Sequence, residues 1–161
     1  MITKGILDED FINYKKPSMV ILFPTCTFKC EKECGECCCQ NSALAQAPNI
    51  DISIHDVCTR YLNNNITQAV VCGGLEPMDS FDDLYQFIFD LRHIYICLDD
   101  VIIYTGYTKE ECKRNGWLQK LIPLTNIIIK FGRFVPNQNS HYDETSGVKL
   151  ASDNQYAERI S

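Results

Sequence analysis

Residues 19–42 read MVILFPTCTFKCEKECGECCCQNS, and their reading decides the fold. Met19–Phe23 is a short continuous apolar run, opened by Pro17-Ser18 and closed by Pro24. A run with no polar alternation predicts a strand buried on both faces, as in a parallel sheet. Six of the ten cysteines follow at once, between Cys26 and Cys39. In open α/β sheets and barrels, sites gather at the C-terminal ends of the strands. Position and chemistry therefore agree.

Clustered thiolates hold zinc or iron–sulfur clusters. The spacing admits several ligand sets. Cys26, Cys30, Cys34 and Cys37 would make a four-thiolate zinc site. Cys30, Cys34 and Cys37 have C-x3-C-x2-C spacing, and Cys26, Cys30 and Cys39 form a wider set. The competing reading is a disulfide knot of the secreted type. The start, MITKGILDEDF, is too acidic for a signal peptide, so the expectation is a cytoplasmic protein, where disulfides are rare. Cys58, Cys72, Cys97 and Cys112 lie in apolar or amphipathic patterns and read as small buried hydrophobes.

The bulk composition narrows the class. A chain of 161 residues predicts one domain over 1–161, long enough to bury a core. A net charge of −6 argues against non-specific nucleic-acid binding, which needs a basic face. No apolar run approaches the roughly 18 residues of a membrane span.

Outward from the first strand, Ser53 caps a predicted helix to about Asn63, with Ile54, Val57, Cys58 and Tyr61 on one face. Ala69–Cys72 is the second strand, followed by Gly73-Gly74. Ser80 opens a helix to about Arg92 with the stripe Phe81, Leu84, Tyr85, Ile88 and Leu91. Val101–Thr105 is the third strand, with Gly106 after it. Thr108 caps a short helix, and Asn126–Lys130 is the fourth strand. Residues 1–17 show no strong period, and the tail GVKLASDNQYAERI starts like a strand and continues as a polar loop. Strand and helix alternate, which predicts the α/β class with a largely parallel sheet. At this length the units make a partial barrel or open sheet, since an eightfold barrel takes about 250 residues.

Gly73-Gly74-Leu75-Glu76-Pro77 directly follows a strand. Paired glycines let the backbone approach a ligand closely; alone they read as a tight turn. Beside the cysteines they become the second half of a signature. The combination resembles the radical S-adenosylmethionine superfamily. Cys39-Gln40-Asn41, Thr105-Gly106-Tyr107-Thr108, Gly132-Arg133-Phe134 and Ser152-Asp153-Asn154-Gln155 follow in the order found in its short members that activate anaerobic ribonucleoside-triphosphate reductase. The resemblance covers roughly residues 18–160. It implies a partial (β/α) barrel of the radical S-adenosylmethionine type. It implies a [4Fe-4S] cluster on Cys26, Cys30 and Cys39, whose fourth iron takes the amino and carboxylate groups of S-adenosylmethionine.

By the same resemblance, the Gly73-Gly74 turn would hold the amino group through backbone acceptors, Glu76 in the same element would belong to the cofactor-binding set, and Thr105, Gly106 and Tyr107 would lie near the nucleoside or methionyl part. Asn154 and Gln155 are further candidates for the pocket. Reductive cleavage would give methionine and a 5′-deoxyadenosyl radical, which takes a hydrogen from a glycine of the partner. That partner would be the glycyl-radical subunit of anaerobic ribonucleoside-triphosphate reductase. A flavodoxin or ferredoxin would supply the electron. The pattern departs from the family twice. Eight residues separate Cys39 from Cys30, with Cys34, Cys37 and Cys38 in the apparent insertion, so Cys37 and Cys38 rival Cys39 as third ligand. Leu75 separates Gly74 from Glu76 and displaces the glutamate by one position.

Two other functions remain open at the level of sequence. One is a small radical S-adenosylmethionine enzyme acting on a small molecule. The other is a non-enzymatic interaction module built on zinc. His55, His93 and His141 read as surface residues and Trp117 as a packing anchor. Lys130 and Arg133 could contact a carboxylate, although solvated charge is the expectation.

Overall fold

A computed structural model describes residues 1–161. The strands in chain order are β1 Ile2–Thr3, β2 Gly5–Asp10, β3 Ser18–Phe23, β4 Ile50–Asp51, β5 Ala69–Gly74, β6 Asp100–Tyr104, β7 Ile127–Phe131, β8 His141–Asp143, β9 Val148–Leu150 and β10 Tyr156–Arg159. The helices are α1 Lys29–Cys34, α2 Ser42–Gln46, α3 Ile54–Leu62, α4 Phe81–His93, α5 Lys109–Arg114 and α6 Trp117–Leu121. Six strands make the central sheet, in the order β10-β7-β6-β5-β3-β2. Neighbours among β3, β5, β6 and β7 are parallel. The two edges, β2 and β10, are antiparallel. The fold is mixed α/β with a largely parallel sheet, and no closed barrel is formed.

The four parallel strands are the apolar runs of the sequence, and their period of two sorts the side chains onto two faces. Met19, Ile21 and Phe23 of β3, Val70 and Cys72 of β5, Val101 and Ile103 of β6, and Ile127 and Ile129 of β7 pack with the helices. Leu84, Ile88 and Leu91 of α4 are fully buried against them, each contributing roughly 1.5–3 kcal/mol by leaving water. Val20, Val71, Ile102 and Ile128 form a smaller cluster on the opposite face with Tyr14 and Ala157. No helix packs in that cluster.

Helix starts follow their caps. Ser53 Oγ accepts from Asp56 N and opens α3. Thr108 and Glu111 form a reciprocal capping box at α5. Cys58, Cys72, Cys97 and Cys112 are all buried, as their apolar settings predict. No helix is long and apolar enough to cross a membrane.

The ends of the chain differ from expectation. Residues 5–10, which show no period, form the edge strand β2, with Leu7 paired to Val20. Its sequence, GILDED, is acidic and half exposed, the composition that keeps an edge from pairing with another chain. The tail is more than a strand start and a loop. Val148–Leu150 forms a hairpin with His141–Asp143, and Tyr156–Arg159 closes the other edge against β7.

Candidate metal centre

The parallel register brings the strand ends together. Phe23 pairs with Gly74, and Tyr104 with Lys130. Beyond these pairs the chain keeps bonding: Glu76 N donates to Thr25 O at 2.8 Å, and Thr105 N to Lys130 O at 2.9 Å. The cysteine stretch therefore leaves β3 directly beside the glycine turn of β5.

Gly74 makes this approach possible. It sits at φ 84°, and a Cβ there would lie 2.9 Å from Leu22 Cα. Only glycine meets both conditions without a backbone shift.

At these ends lies a cavity of about 460 Å³. Cys26, Cys30 and Cys39 line it, together with Gly73, Gly74, Glu76, Thr105, Gly106 and Tyr107. All nine residues singled out in the sequence thus share one cavity. Its size suits an organic ligand of moderate mass. Gln155 also lines it; Asn154 does not, and instead donates through Nδ2 to Arg133 O at 2.8 Å. None of the three histidines reaches it.

The cysteine loop has a defined shape. Phe28 adopts φ 51°, a left-handed conformation that is costly for a side chain of this bulk. Its N–H points at Cys26 Sγ, 3.2 Å away. Burial pushes the Cys26 thiol up to about 11, against the pull of that N–H, and the Glu76 and Asp79 carboxylates push the same way. Burial raises the Cys30 thiol as well. Cys34 and Cys37 are exposed and lie outside the cavity, so the four-thiolate zinc set is not brought together. No three His, Cys, Asp or Glu side chains gather around a point that would hold a single ion. A four-iron cubane takes its thiolates on separate irons. Three cysteines along one cavity wall, one of them with an N–H···S donor, fit that group.

Charged and aromatic contacts fasten α1 to the body. Arg133 Nη2 donates to Glu111 Oε1 at 2.7 Å, and Arg133 Nε lies 3.3 Å from Glu33 Oε1 of α1 without the alignment of a hydrogen bond. Lys29 Nζ sits 4.2 Å from the centre of the Tyr107 ring and 3.7 Å from Glu111. The Arg133 guanidinium holds the Glu111 carboxyl down at about 2, with Thr108 N and Lys29 assisting against burial. Asp79 joins the loop to the third strand end: it accepts from Thr27 N at 2.7 Å and from the Tyr107 hydroxyl. Trp117 packs edge-on against Tyr107 with centroids 5.0 Å apart, as a packing anchor should.

Glu76 is buried and faces protein donors. Oε1 accepts from Thr105 Oγ1 at 2.7 Å and Met78 N at 3.0 Å, and Oε2 from Gly106 N at 2.8 Å. Burial raises its pKa to about 7, against those three hydrogen bonds. The carboxylate therefore ties the β5 turn to the β6 turn.

Lys130 departs from the expectation of a solvated charge. It is 7% exposed, lines the cavity, and donates from Nζ to Gly132 O at 2.8 Å. Burial lowers its pKa to about 8, against the attraction of Glu76. Strand alternation carries the missed signal. Lys130 is two residues from Ile128 and so falls on the helix-free face, at the end of a strand buried throughout.

No curated protein matches the chain. The 4Fe-4S single cluster domain matches residues 18–156, which spans β3 to the first residue of β10 and includes every cavity residue named in the sequence. The chain belongs to the 4Fe-4S single cluster domain family.

Proposed function

We propose that the protein is a radical S-adenosylmethionine activase that forms a glycyl radical on anaerobic ribonucleoside-triphosphate reductase. One observation carries the reading. Cys26, Cys30 and Cys39 line the same cavity as the Gly73-Gly74 turn, the Thr105–Tyr107 turn and the buried ammonium of Lys130. In this reading the sheet is a partial (β/α) barrel, and its helix-free face is the inner side.

The three cysteines would hold the cluster and leave one iron for the substrate's amino and carboxylate groups. When bound, the cluster supplies one electron that cleaves S-adenosylmethionine to methionine and the radical that takes the partner's glycine hydrogen. The chain's own residues bind and orient. The backbone carbonyls at Gly73 and Gly74 would accept from the N–H groups of the substrate's amino group. Lys130, the cationic side chain buried in the cavity wall, would face the carboxylate. Tyr107, held by Asp79, Trp117 and Lys29, would form the wall on the nucleoside side. Glu76 would keep the two turns at fixed separation rather than touch substrate.

The electron donor would be a flavodoxin or ferredoxin. The partner's glycine loop would enter from the side that no helix covers. Anaerobic reconstitution with iron and sulfide, followed by low-temperature EPR, tests the assignment. The reduced protein should give a four-iron signal that changes on adding S-adenosylmethionine. Adding the reductase should then produce a glycyl-radical doublet. Release of 5′-deoxyadenosine with no radical on the reductase would favour a small-molecule substrate. Zinc retained with no four-iron signal would remove both enzymatic readings.

A further inference from the structure

The insertion between Cys30 and Cys39 carries three cysteines that the cavity does not use: Cys34, Cys37 and Cys38. Two of them meet. Cys34 Sγ lies 3.0 Å from Cys38 Sγ. The meeting is built by the backbone. α1 ends at Cys34, and Gly35 follows at φ 75°, donating its N–H to Glu31 O at 2.9 Å. This left-handed cap reverses the chain, so the residues after the helix return over its last turn. Cys34 Sγ is also within 3.3 Å of Glu36 O. Cys34 is exposed, whereas Cys38 is half-buried and also neighbours Cys30.

We propose that Cys34 and Cys38 form a reversible thiol–disulfide site whose reaction partners are low-molecular-weight disulfides of the glutathione class. A disulfide needs its sulfurs at about 2.05 Å, so a closing movement of roughly 1 Å completes the bond. The exposed Cys34 attacks first. Its thiolate displaces one small thiol and forms a mixed disulfide. Cys38 then attacks the Cys34 sulfur and displaces the second small thiol. The two protons lost by the cysteines end on the two released thiols. The pair is oxidised by two electrons, and the small disulfide is reduced by two.

The closed ring contains only Cys34 to Cys38. It leaves Cys26, Cys30 and Cys39, the three cysteines that line the cavity, untouched. It also takes Cys38 away from Cys30, its competing partner. The site goes beyond the activase reading and does not depend on it, because the chemistry needs only the two thiols.

The test is a titration with oxidised and reduced glutathione without oxygen, on the apoprotein and on the iron-reconstituted protein. Differential alkylation and fragment mass spectrometry map the products. A Cys34–Cys38 disulfide is expected in both samples, with iron content unchanged in the second and full reversal by a dithiol reductant. The C37S variant should keep the disulfide. C38S should lose it and accumulate a glutathione adduct on Cys34. C34S should lose it and leave Cys38 free of adduct. A dominant Cys30–Cys38 or Cys37-containing disulfide, a persistent Cys34 adduct in the unsubstituted protein, or iron loss in step with disulfide formation would overturn the proposal. The apoprotein arm is read even where no cluster assembles, so failure of the cluster assignment is distinguishable from failure of the thiol pair.

Discussion

Asn41 Nδ2 donates to the carbonyl oxygen of Gly74 at 2.7 Å. This bond joins the residue that closes the cysteine stretch to the glycine turn on the neighbouring strand. Both partners border the cavity. The Gly74 carbonyl belongs to the turn that would receive the substrate's amino group, so Asn41 fixes where that turn points. An exposed neutral hydrogen bond contributes about 0.5–1.5 kcal/mol. Asn41→Ala is expected to weaken S-adenosylmethionine binding by roughly 2- to 12-fold while keeping the iron content. Calorimetry on the reconstituted protein measures it. Tighter binding in the variant would mean that Asn41 competes with the amino group instead of positioning its acceptor.

The cavity also divides the cysteines. Cys26, Cys30 and Cys39 line it, and Cys34, Cys37 and Cys38 do not. Single alanine substitutions of the first three should abolish the four-iron cluster, measured as iron and sulfide per chain. The same substitution at Cys34, Cys37 or Cys38 should leave the cluster in place. Retention in Cys39→Ala together with loss in Cys38→Ala would reassign the third ligand to Cys38.

How much was legible depends on where a residue's partners lie. The four parallel strands are apolar on both faces, so sequence alone places β3, β5, β6 and β7. Ser53 and Thr108 find their cap partners within three residues, and α3 and α5 start where those caps predict. The edge strands β2 and β10 gave no period because each is partly exposed and held by one neighbour. Lys130 misled for a different reason. Its burial is set by the register of neighbouring strands, which no local pattern records. Glu76 lines the cavity, and its partners Thr105 and Gly106 lie on the next strand's turn, a link that no local pattern records either.

The buried ammonium of Lys130 yields a pH prediction. With a pKa of about 8, it is charged below that value and neutral above it. If it meets the substrate carboxylate, S-adenosylmethionine binding should weaken as the pH rises through about 8. Lys130→Met removes the charge and keeps most of the volume. A charge-assisted hydrogen bond is worth about 1.5–3 kcal/mol, so affinity should fall roughly 12- to 150-fold and lose this pH dependence. The melting temperature should not fall with it. The Lys130 pKa lies below that of the unfolded chain, so the buried charge opposes folding below about 8. Gly132 O also keeps the Gln155 Nε2 donor at 3.2 Å. A variant that binds normally would place the carboxylate elsewhere.

Asp100 controls the opposite end of the sheet. It opens β6, and its carboxylate accepts from Lys16 Nζ at 2.7 Å, Arg159 Nη2 at 2.8 Å and the Tyr14 hydroxyl at 2.9 Å. These bonds join the segment before β3 to the last strand, β10. Burial alone would raise the Asp100 pKa; the three donors overcome it and hold the group at about 2. A carboxyl with a lowered folded pKa stabilises the native state above its unfolded value of about 3.9. That stability is lost as the pH falls from about 4 to about 2. Lys16 and Arg159 are each about two-fifths exposed, so screening reduces the contribution to roughly 1–2 kcal/mol. Asp100→Asn should therefore be less stable than the unsubstituted apoprotein at pH 7 and converge with it below about pH 2. Urea unfolding across that range checks the sign. A constant difference between the two proteins at every pH would assign the loss to packing and not to the carboxylate charge.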